Sequence, residues 1–195
     1  MKISIDGKAI RVEEGLLYLG GMNIKNFHQI NGLNNLTNLK KLILFNNNIS
    51  NISNLESLVN LESLNLYGNK IREITGLASL TNLRTLFLSN NKISEIKGLD
   101  KLTKLENLSF EDNYITKIKG LTKVTLLREF NLFNNQITCI ENLGALRKLK
   151  NLRIGQNPIP IETLEKCGGI NEQGYAVDAQ EFVKYCKIEE QNSEY

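Results

Sequence analysis

Side chains that commonly carry catalysis are few in this chain and do not fall at catalytic spacings. His28 is the only histidine, so histidine-based triads and multi-histidine metal sites lack their parts. Cys139, Cys167 and Cys186 have no metal-like spacing, and an odd number of cysteines is typical of a reducing compartment. The glycines recur at the spacing of a repeat and form no phosphate-binding loop. We therefore predict a protein that is not an enzyme and that uses no cofactor or metal ion.

A sequence motif of 22 residues recurs through the chain. The structure that this repeat forms must position any functional site. Each copy carries an aliphatic ladder, then an asparagine, then an isoleucine. The ladder opens at Leu39, Leu61, Leu83, Leu105, Leu127 and Leu149. The asparagine stands at Asn47, Asn69, Asn91, Asn113, Asn135 and Asn157. Because a unit this short cannot bury its apolar face alone, the fixed period predicts a solenoid of stacked units.

Within one copy, the spacing of the apolar residues changes from two to three. Leu64 and Leu66 alternate with period two, which predicts a short strand with its leucines turned inward. The spacing of three in Ile71, Ile74 and Leu77 predicts a tight return, since 22 residues leave no room for a crossover helix. We therefore predict an α/β fold. It is a right-handed solenoid with parallel strands on the concave face and 3₁₀ turns or irregular chain on the convex face.

Two columns of the repeat predict specific backbone structure. The asparagine lies where the chain leaves the strand, so its buried amide can bond to backbone groups that have lost their sheet partners. A second column holds only glycine or asparagine, namely Gly32, Asn54, Gly76, Gly98, Gly120 and Asn142. These residue types predict a left-handed backbone conformation in every copy. Both columns are structural, and we assign neither a ligand.

The register also indicates one degenerate copy at the start of the solenoid. Projected backwards, it places Leu17, Gly20 and Met22 in the ladder and Lys25 where the other copies have asparagine. An atypical terminal unit is typical of solenoids. The solenoid is therefore predicted to have about seven units, over residues 17–159.

Both ends of the solenoid need covers. Asp6-Gly7 between two apolar runs predicts a β-hairpin cap over residues 1–16. A helical cap is predicted over residues 160–188, beginning near Pro160. The polar residues 189–195 are predicted to form a flexible tail.

Residues 17 to about 160 resemble leucine-rich repeats, in particular the 22-residue class found in regulatory subunits of type 1 protein phosphatase. The run Asn157-Pro158-Ile159 also resembles the C-terminal ending of that class. The resemblance implies a curved solenoid with parallel strands on its concave side, a fold used mainly to bind proteins.

Side chains between the ladder leucines point away from the predicted core, and the repeat does not dictate their identity. The candidate protein-binding residues on this concave surface are Lys41, Ile43, Phe45, Tyr67, Phe87, Glu111, Asp112, Glu129 and Phe133. The first aromatic residues form an apolar patch, and the three carboxylates form an acidic patch further on. Exposed aromatic residues beside charge are typical of a binding hot spot. The alternative is that the aromatic residues only stack across strands and stabilise the sheet.

These features together predict a cytoplasmic, monomeric protein–protein interaction module that binds a partner on its concave face. The resemblance implies a regulatory subunit of a phosphatase or of a small GTPase. The net charge of +3 is too small to indicate a nucleic-acid or membrane partner. An extracellular adhesin or receptor domain is the main alternative, which the apparent lack of a signal segment disfavours. A nucleoprotein component is a lesser alternative, because the concave columns carry few cations.

Overall fold

The computed structural model describes residues 3–192. Its main feature is a seven-stranded sheet in which all neighbouring strands are parallel and follow one another in chain order. A two-stranded antiparallel sheet precedes it, and two α-helices follow within the described part. The elements are β1 (Ile3–Ile5), β2 (Lys8–Ile10), β3 (Leu16–Tyr18), β4 (Lys41–Ile43), β5 (Ser63–Asn65), β6 (Thr85–Phe87), β7 (Asn107–Ser109), β8 (Glu129–Asn131), β9 (Asn151–Arg153), α1 (Ile161–Lys166) and α2 (Ala179–Asn192). The predicted solenoid fold is confirmed.

Each strand of the seven-stranded sheet buries its central residue and leaves the residues on either side at least partly accessible. In β5, Leu64 is buried, whereas Ser63 and Asn65 are half-buried. Leu64 pairs with Leu86 of the next strand, so equivalent leucines stack along the solenoid. Leu66, two residues after Leu64, is buried again. The period-two prediction is therefore confirmed, and the repeated aliphatic residues form one continuous core.

The opposite side of each repeat returns through tight turns. In one repeat, the Leu80 amide donates to the Leu77 carbonyl at 3.0 Å, and the Leu83 amide donates to the Leu80 carbonyl at 2.9 Å. These three-residue steps place an apolar side chain in the core at every third position. Within residues 3–192, 3₁₀ helix is assigned only at Phe27–Gln29 and Leu33–Asn35, so most of this side is turns and irregular chain.

The asparagine column forms the predicted hydrogen-bonded ladder. Asn91 Oδ1 accepts from the Ile71 amide at 3.0 Å, and Asn91 Nδ2 donates to the Leu66 and Leu88 carbonyls, both at 3.0 Å. One buried side chain thus bonds to the previous repeat and to its own. Asn69, Asn113 and Asn135 make equivalent bonds. The ladder satisfies backbone groups that the short strands leave without sheet partners.

The glycine and asparagine column is left-handed, as predicted. Gly76 has φ +68°, and Asn54 and Asn142 have φ values of 59° and 57°. A Cβ atom on Gly76 would lie 2.5 Å from the Ile52 carbonyl oxygen. Close backbone approach therefore favours glycine at this position, in addition to the positive φ.

The first repeat is longer than the sequence register indicated. Leu17 pairs with Leu42, 25 positions later, whereas Leu42 pairs with Leu64, 22 positions later. By this strand register, Met22 occupies the asparagine position, and Lys25 does not. The degenerate first unit is therefore a repeat with three additional residues.

The additional residues lie between Ile24 and Gly32, a stretch that includes the 3₁₀ turn Phe27–Gln29 and buries Phe27 in the core. The bond between repeats survives the insertion, because the Ile24 amide still donates to Asn47 Oδ1 at 2.9 Å. The placement of Gly20 and Met22 in the ladder was wrong: Leu17 in β3 and Leu19 directly after it are buried, and Met22 is exposed.

The N-terminal cap is the predicted hairpin. β1 and β2 are joined by Asp6-Gly7, whose φ values of 48° and 78° suit a two-residue turn. Ile3 and Ile5 are buried against the first repeat, and the Ser4 backbone pairs with Asn31. The large sheet begins at Leu16, one residue before the predicted start of the solenoid.

The C-terminal cap begins with α1, which ends where Gly168 and Gly169 adopt positive φ. The chain then crosses the edge of β9, where residues 174–176 pair with it in the antiparallel direction. Glycines make this approach possible, because a Cβ on Gly155 would lie 2.5 Å from the Gly174 Cα.

Helix α2 closes the core with Phe182, Val183 and Cys186, all buried. The helix continues to Asn192, so it extends beyond residue 188, where the flexible tail was predicted to begin. The rest of the predicted tail, residues 193–195, lies outside the described residues, as do residues 1–2 of the hairpin cap.

Candidate functional site

The solvent-facing surface of the seven-stranded sheet carries most of the predicted site residues. We call this surface the open face. It consists of the residues on either side of the buried central position of β3–β9, together with the residue that follows two positions after each strand. Lys41, Ile43, Phe45, Tyr67 and Phe87 lie on this face near its N-terminal end. None of them belongs to the buried core.

Aromatic side chains cluster on the N-terminal half of the open face. Tyr67 is 41% exposed and Phe87 is 38% exposed, whereas Phe45 is half-buried. The Phe45 ring meets the Tyr18 ring edge to face, with centroids 5.7 Å apart and an interplanar angle of 84°. Tyr18 is itself 54% exposed. The four residues Tyr18, Phe45, Tyr67 and Phe87 are called the aromatic cluster below.

Tyr18 was missing from the sequence prediction because the first repeat was placed in the wrong register. β3 pairs Tyr18 with Ile43, which adds this ring to the open face. The alternation of Leu17 and Leu19 with period two was the signal that could have revealed it.

Glu111 forms an ion pair with Arg153 of the last repeat. Arg153 Nη1 lies 2.7 Å from Glu111 Oε1, and Asn131 Nδ2 donates to Glu111 Oε2 at 2.9 Å. The Arg153 guanidinium also stacks on Phe133, with Cζ 3.8 Å from the ring centroid. Glu111, Phe133 and Arg153 therefore form one network on the C-terminal half of the face. Arg153 was not predicted as a site residue, because the pair joins positions 42 residues apart.

Asp112 borders a different depression from Glu129. Its backbone is left-handed at φ 56°, at the bend that follows β7. Its side chain accepts from Asn134 Nδ2 at 2.7 Å and borders a depression shared with Asn90 and Tyr114. The three predicted carboxylates therefore do not form a single acidic patch: Asp112 is on the rim, and Glu111 is in an ion pair.

Glu129 lines a depression that extends from the middle strand β6 to β9 on the open face. Asn151 Nδ2 donates to both of its carboxylate oxygens, at 2.9 Å each. The depression has a volume of about 260 Å³, and its lining includes Phe87, Glu129, Asn131, Arg153 and Tyr175. We call it the central depression. Tyr175 comes from the C-terminal cap, so the cap contributes one wall.

Lys41 lies at the N-terminal margin of the open face. It is exposed and borders a depression together with Arg11, Glu13 and Glu14 from the segment after the hairpin. Among the candidate residues it is the one cation, and it lies beside the aromatic cluster.

The cysteines show no sign of reactivity. All three are free thiols, and Cys167 and Cys186 are buried within the C-terminal cap. Burial raises the pKa of Cys167 to about 12 and that of Cys186 to about 11. Thiols with such values stay protonated at neutral pH and are poor nucleophiles.

A metal-binding cluster and a membrane-spanning helix are both absent from the described residues. Residues 3–192 contain no group of three or more histidine, cysteine or acidic side chains arranged to hold a metal ion. Neither helix in this range has the length and apolar character needed to cross a bilayer.

Part of the chain matches a known family of repeats. Residues 37–79 and 81–123 match the family model for leucine-rich repeats in two copies. No curated protein matches the chain. An internalin (inlF) from Listeria monocytogenes is 35% identical with a TM-score of 0.67, and the alignment covers 75% of this chain but 42% of that internalin.

Two further solved structures are similar in fold. An internalin C2 (inlC2) from Listeria monocytogenes is 25% identical with a TM-score of 0.60, covering 75% of this chain and 73% of that one. The TLR13–ssRNA13 complex contains a chain that is 30% identical with a TM-score of 0.56, covering 63% of this chain and 20% of that one.

Proposed function

Because the chain carries leucine-rich repeats over residues 37–79 and 81–123, we propose that it is a non-catalytic protein-interaction module. The partner binds on the open face, which forms the concave side of the solenoid. The observation that carries this proposal is the exposure of Tyr18, Tyr67 and Phe87 on a sheet whose core is already complete without them. Large exposed aromatic residues are typical anchors of protein interfaces.

The dimensions of the open face suit a protein ligand. Seven strands at the usual spacing of about 4.7–4.9 Å span roughly 28–30 Å. This length accommodates a helix or one side of a small domain. A standard interface buries about 800 Å² on each partner, which a face of this size can supply.

More specifically, we propose that the protein is a monomeric regulatory subunit of a phosphatase or of a small GTPase and acts in the cytoplasm. The 22-residue repeat class resembles phosphatase regulatory subunits and supports this form. The free thiols of Cys139, Cys167 and Cys186 support a reducing compartment.

Affinity capture tests the interaction surface. The intact protein is compared with a triple variant, Phe45→Ala/Tyr67→Ala/Phe87→Ala, and with a matched triple alanine variant of Lys92, Lys101 and Lys123 on the returning side of the repeats. We expect specific proteins to be retained by the intact chain and the lysine variant and lost from the aromatic variant. Equal capture by all three samples would contradict the proposed surface.

An extracellular adhesin or receptor domain is a second candidate. The observation that favours it is the 35% identity to the internalin (inlF). Fractionation of the native cells separates the two candidates. A protease-accessible pool at the cell surface supports the second, and a purely cytosolic pool supports the first.

Direct nucleic-acid binding is disfavoured by the charge of the open face, although one similar structure is a complex with ssRNA. Lys41 and Arg153 are the cations that its columns offer, and Arg153 is paired with Glu111. A phosphate backbone needs several uncompensated cations. RNA retardation that persists at moderate salt would overturn this conclusion.

A further inference from the structure

The central depression is small and open to solvent. Its volume of about 260 Å³ is below the roughly 300–1,000 Å³ of pockets that enclose whole small-molecule ligands. It therefore suits one side chain of a larger partner. It also lies within the open face, next to Phe87 of the aromatic cluster.

Two side-chain amides of the depression already donate to carboxylates. Asn131 Nδ2 is bonded to Glu111, and Asn151 Nδ2 is bonded to Glu129. Each Glu129 oxygen accepts one of the Asn151 contacts at 2.9 Å. A carboxylate offers about four acceptor positions, so Glu129 retains capacity for a further donor.

The charges in the depression leave a negative excess at Glu129. Arg153 is the cation in the lining, and its guanidinium is committed to Glu111 at 2.7 Å and to the Gln173 carbonyl at 3.1 Å. Glu129 has an amide partner but forms no ion pair within residues 3–192. Arg128, its neighbour in the chain, lies 3.8 Å from Glu106 in the adjacent repeat.

Phe87 forms an aromatic wall of the same depression. Phe87 is 38% exposed, and no cation lies over its ring in the described part of the chain. The open face already uses this type of contact, since Arg153 stacks on Phe133. A carboxylate beside an open aromatic ring attracts a lysine or arginine side chain.

We propose that the central depression receives one basic side chain of the protein partner, with the cationic group bonded to Glu129 and the side-chain stem against Phe87. This inference rests on the proposed function and adds the chemistry of the partner residue. An acidic partner residue that displaces Glu111 from Arg153 is the opposite outcome, and the experiment below distinguishes it.

The test uses short peptides and the full chain. The ¹⁵N-labelled protein is titrated with acetyl-Gly-Arg-Gly-amide, and the side-chain amide signals of Asn107 and Asn151 are followed by NMR. The peptide with citrulline in place of arginine has the same shape without the charge, and acetyl-Gly-Glu-Gly-amide carries the opposite charge. We expect saturable shifts with the arginine peptide and at least fivefold weaker binding of the other two.

Two variants test whether Glu129 binds the arginine peptide. Glu129→Gln retains the shape of the side chain and should weaken binding of the arginine peptide at least fivefold. Glu62→Gln is the matched control: it removes the same charge from a carboxylate paired with Lys40 outside the depression, and binding should be unchanged. Thermal unfolding checks that both variants are folded.

Three results would overturn the inference. They are the absence of saturable shifts up to roughly 20 mM peptide, tighter binding of the glutamate peptide, or no effect of Glu129→Gln. Failure of this inference can be distinguished from failure of the proposed function. A captured partner that is lost with Tyr67→Ala but kept by Glu129→Gln leaves the interaction surface in place and removes only the basic-residue assignment.

Discussion

Arg153 and Glu111 form an ion pair across 42 residues of chain, with Nη1 and Oε1 2.7 Å apart. Arg153 ends β9, and Glu111 follows β7, so the pair reaches over the intervening strand β8. Arg153 Nε also donates to the Gln173 carbonyl in the cap at 3.1 Å. One side chain therefore links the middle of the open face, the last repeat and the C-terminal cap.

Replacing this arginine should loosen the cap. We expect Arg153→Gln to lower the free energy of unfolding by about 1 kcal/mol, since the side chain is only partly buried. Hydrogen exchange should accelerate at the Ile154 and Gly155 amides, which donate to the Gly174 carbonyl. Arg128→Gln, which loses a longer contact of 3.8 Å, is the control and should leave those amides protected.

The inward position of Leu88 gives a second prediction. This side chain is completely buried in the core. We expect Leu88→Ala to destabilise the protein by about 2–5 kcal/mol, because it removes buried methyl groups and leaves a cavity. Urea unfolding followed by circular dichroism measures the change.

Tyr67→Ala is the outward counterpart of that substitution. Because the ring is 41% exposed, we expect a change in unfolding free energy within about 0.5 kcal/mol. The affinity for the captured partner should fall by at least tenfold, as measured by surface plasmon resonance. If Tyr67→Ala unfolds the chain and Leu88→Ala does not, the assignment of inward and outward faces is wrong.

Replacing one asparagine of the ladder should lower the free energy of unfolding. Asn91→Ala leaves the Ile71 amide without its side-chain partner and removes one of the two asparagine donors to the Leu66 carbonyl. Each unsatisfied buried group costs about 1–3 kcal/mol, so we expect a loss of at least that size in urea unfolding. Lys92→Ala, at the exposed adjacent position, is the control and should have little effect.

The buried thiols predict a loss of stability at alkaline pH. In the folded protein the pKa values of Cys167 and Cys186 are raised to about 12 and about 11, from an ordinary value of 9.0. Their contribution is therefore complete below about pH 9, where both states are protonated. It is lost as pH rises towards 11 and 12, because the unfolded chain releases these protons first.

The measurement is the free energy of unfolding at a series of pH values between 8 and 11. The double variant Cys167→Ala/Cys186→Ala should show a shallower decline over this window than the parent. An identical decline in both proteins would show that other groups cause the effect.

The sequence was sufficient to predict the repeating part of the structure. The alternation of Leu64 and Leu66 defined the strand, and the asparagine and glycine columns predicted the ladder and the left-handed positions. Each feature recurs in register, so every copy supports the same interpretation. The two-residue turn at Asp6-Gly7 was equally local and was also predicted.

The first repeat could not be placed in the same way. Its apolar residues Phe27, Ile30, Leu33 and Leu36 are spaced by three, so a shift of three residues leaves that pattern unchanged. The strand pairing of Leu17 with Leu42 resolves the ambiguity, and it depends on contacts between repeats. Tyr18 was missed for this reason.

The network around Glu111 depends on the three-dimensional position of the C-terminal cap. Tyr175 and Gln173 follow α1 in a segment with no repeat pattern, and their approach to β9 is set by backbone pairing. A pattern within single copies cannot reveal that Arg153 would neutralise Glu111. The electrostatic properties of the open face could therefore be derived only from the structure.

The antiparallel segment at residues 174–176 has a consequence for assembly. Nothing within a stack of equivalent units specifies where it should stop, and a bare β9 would offer its edge to the first strand of another molecule. The Leu152 carbonyl is taken by the Ala176 amide at 2.8 Å, and the Ile154 amide by the Gly174 carbonyl at 2.8 Å. These bonds occupy backbone groups on the outer edge of β9 that would otherwise be open to a strand of another molecule.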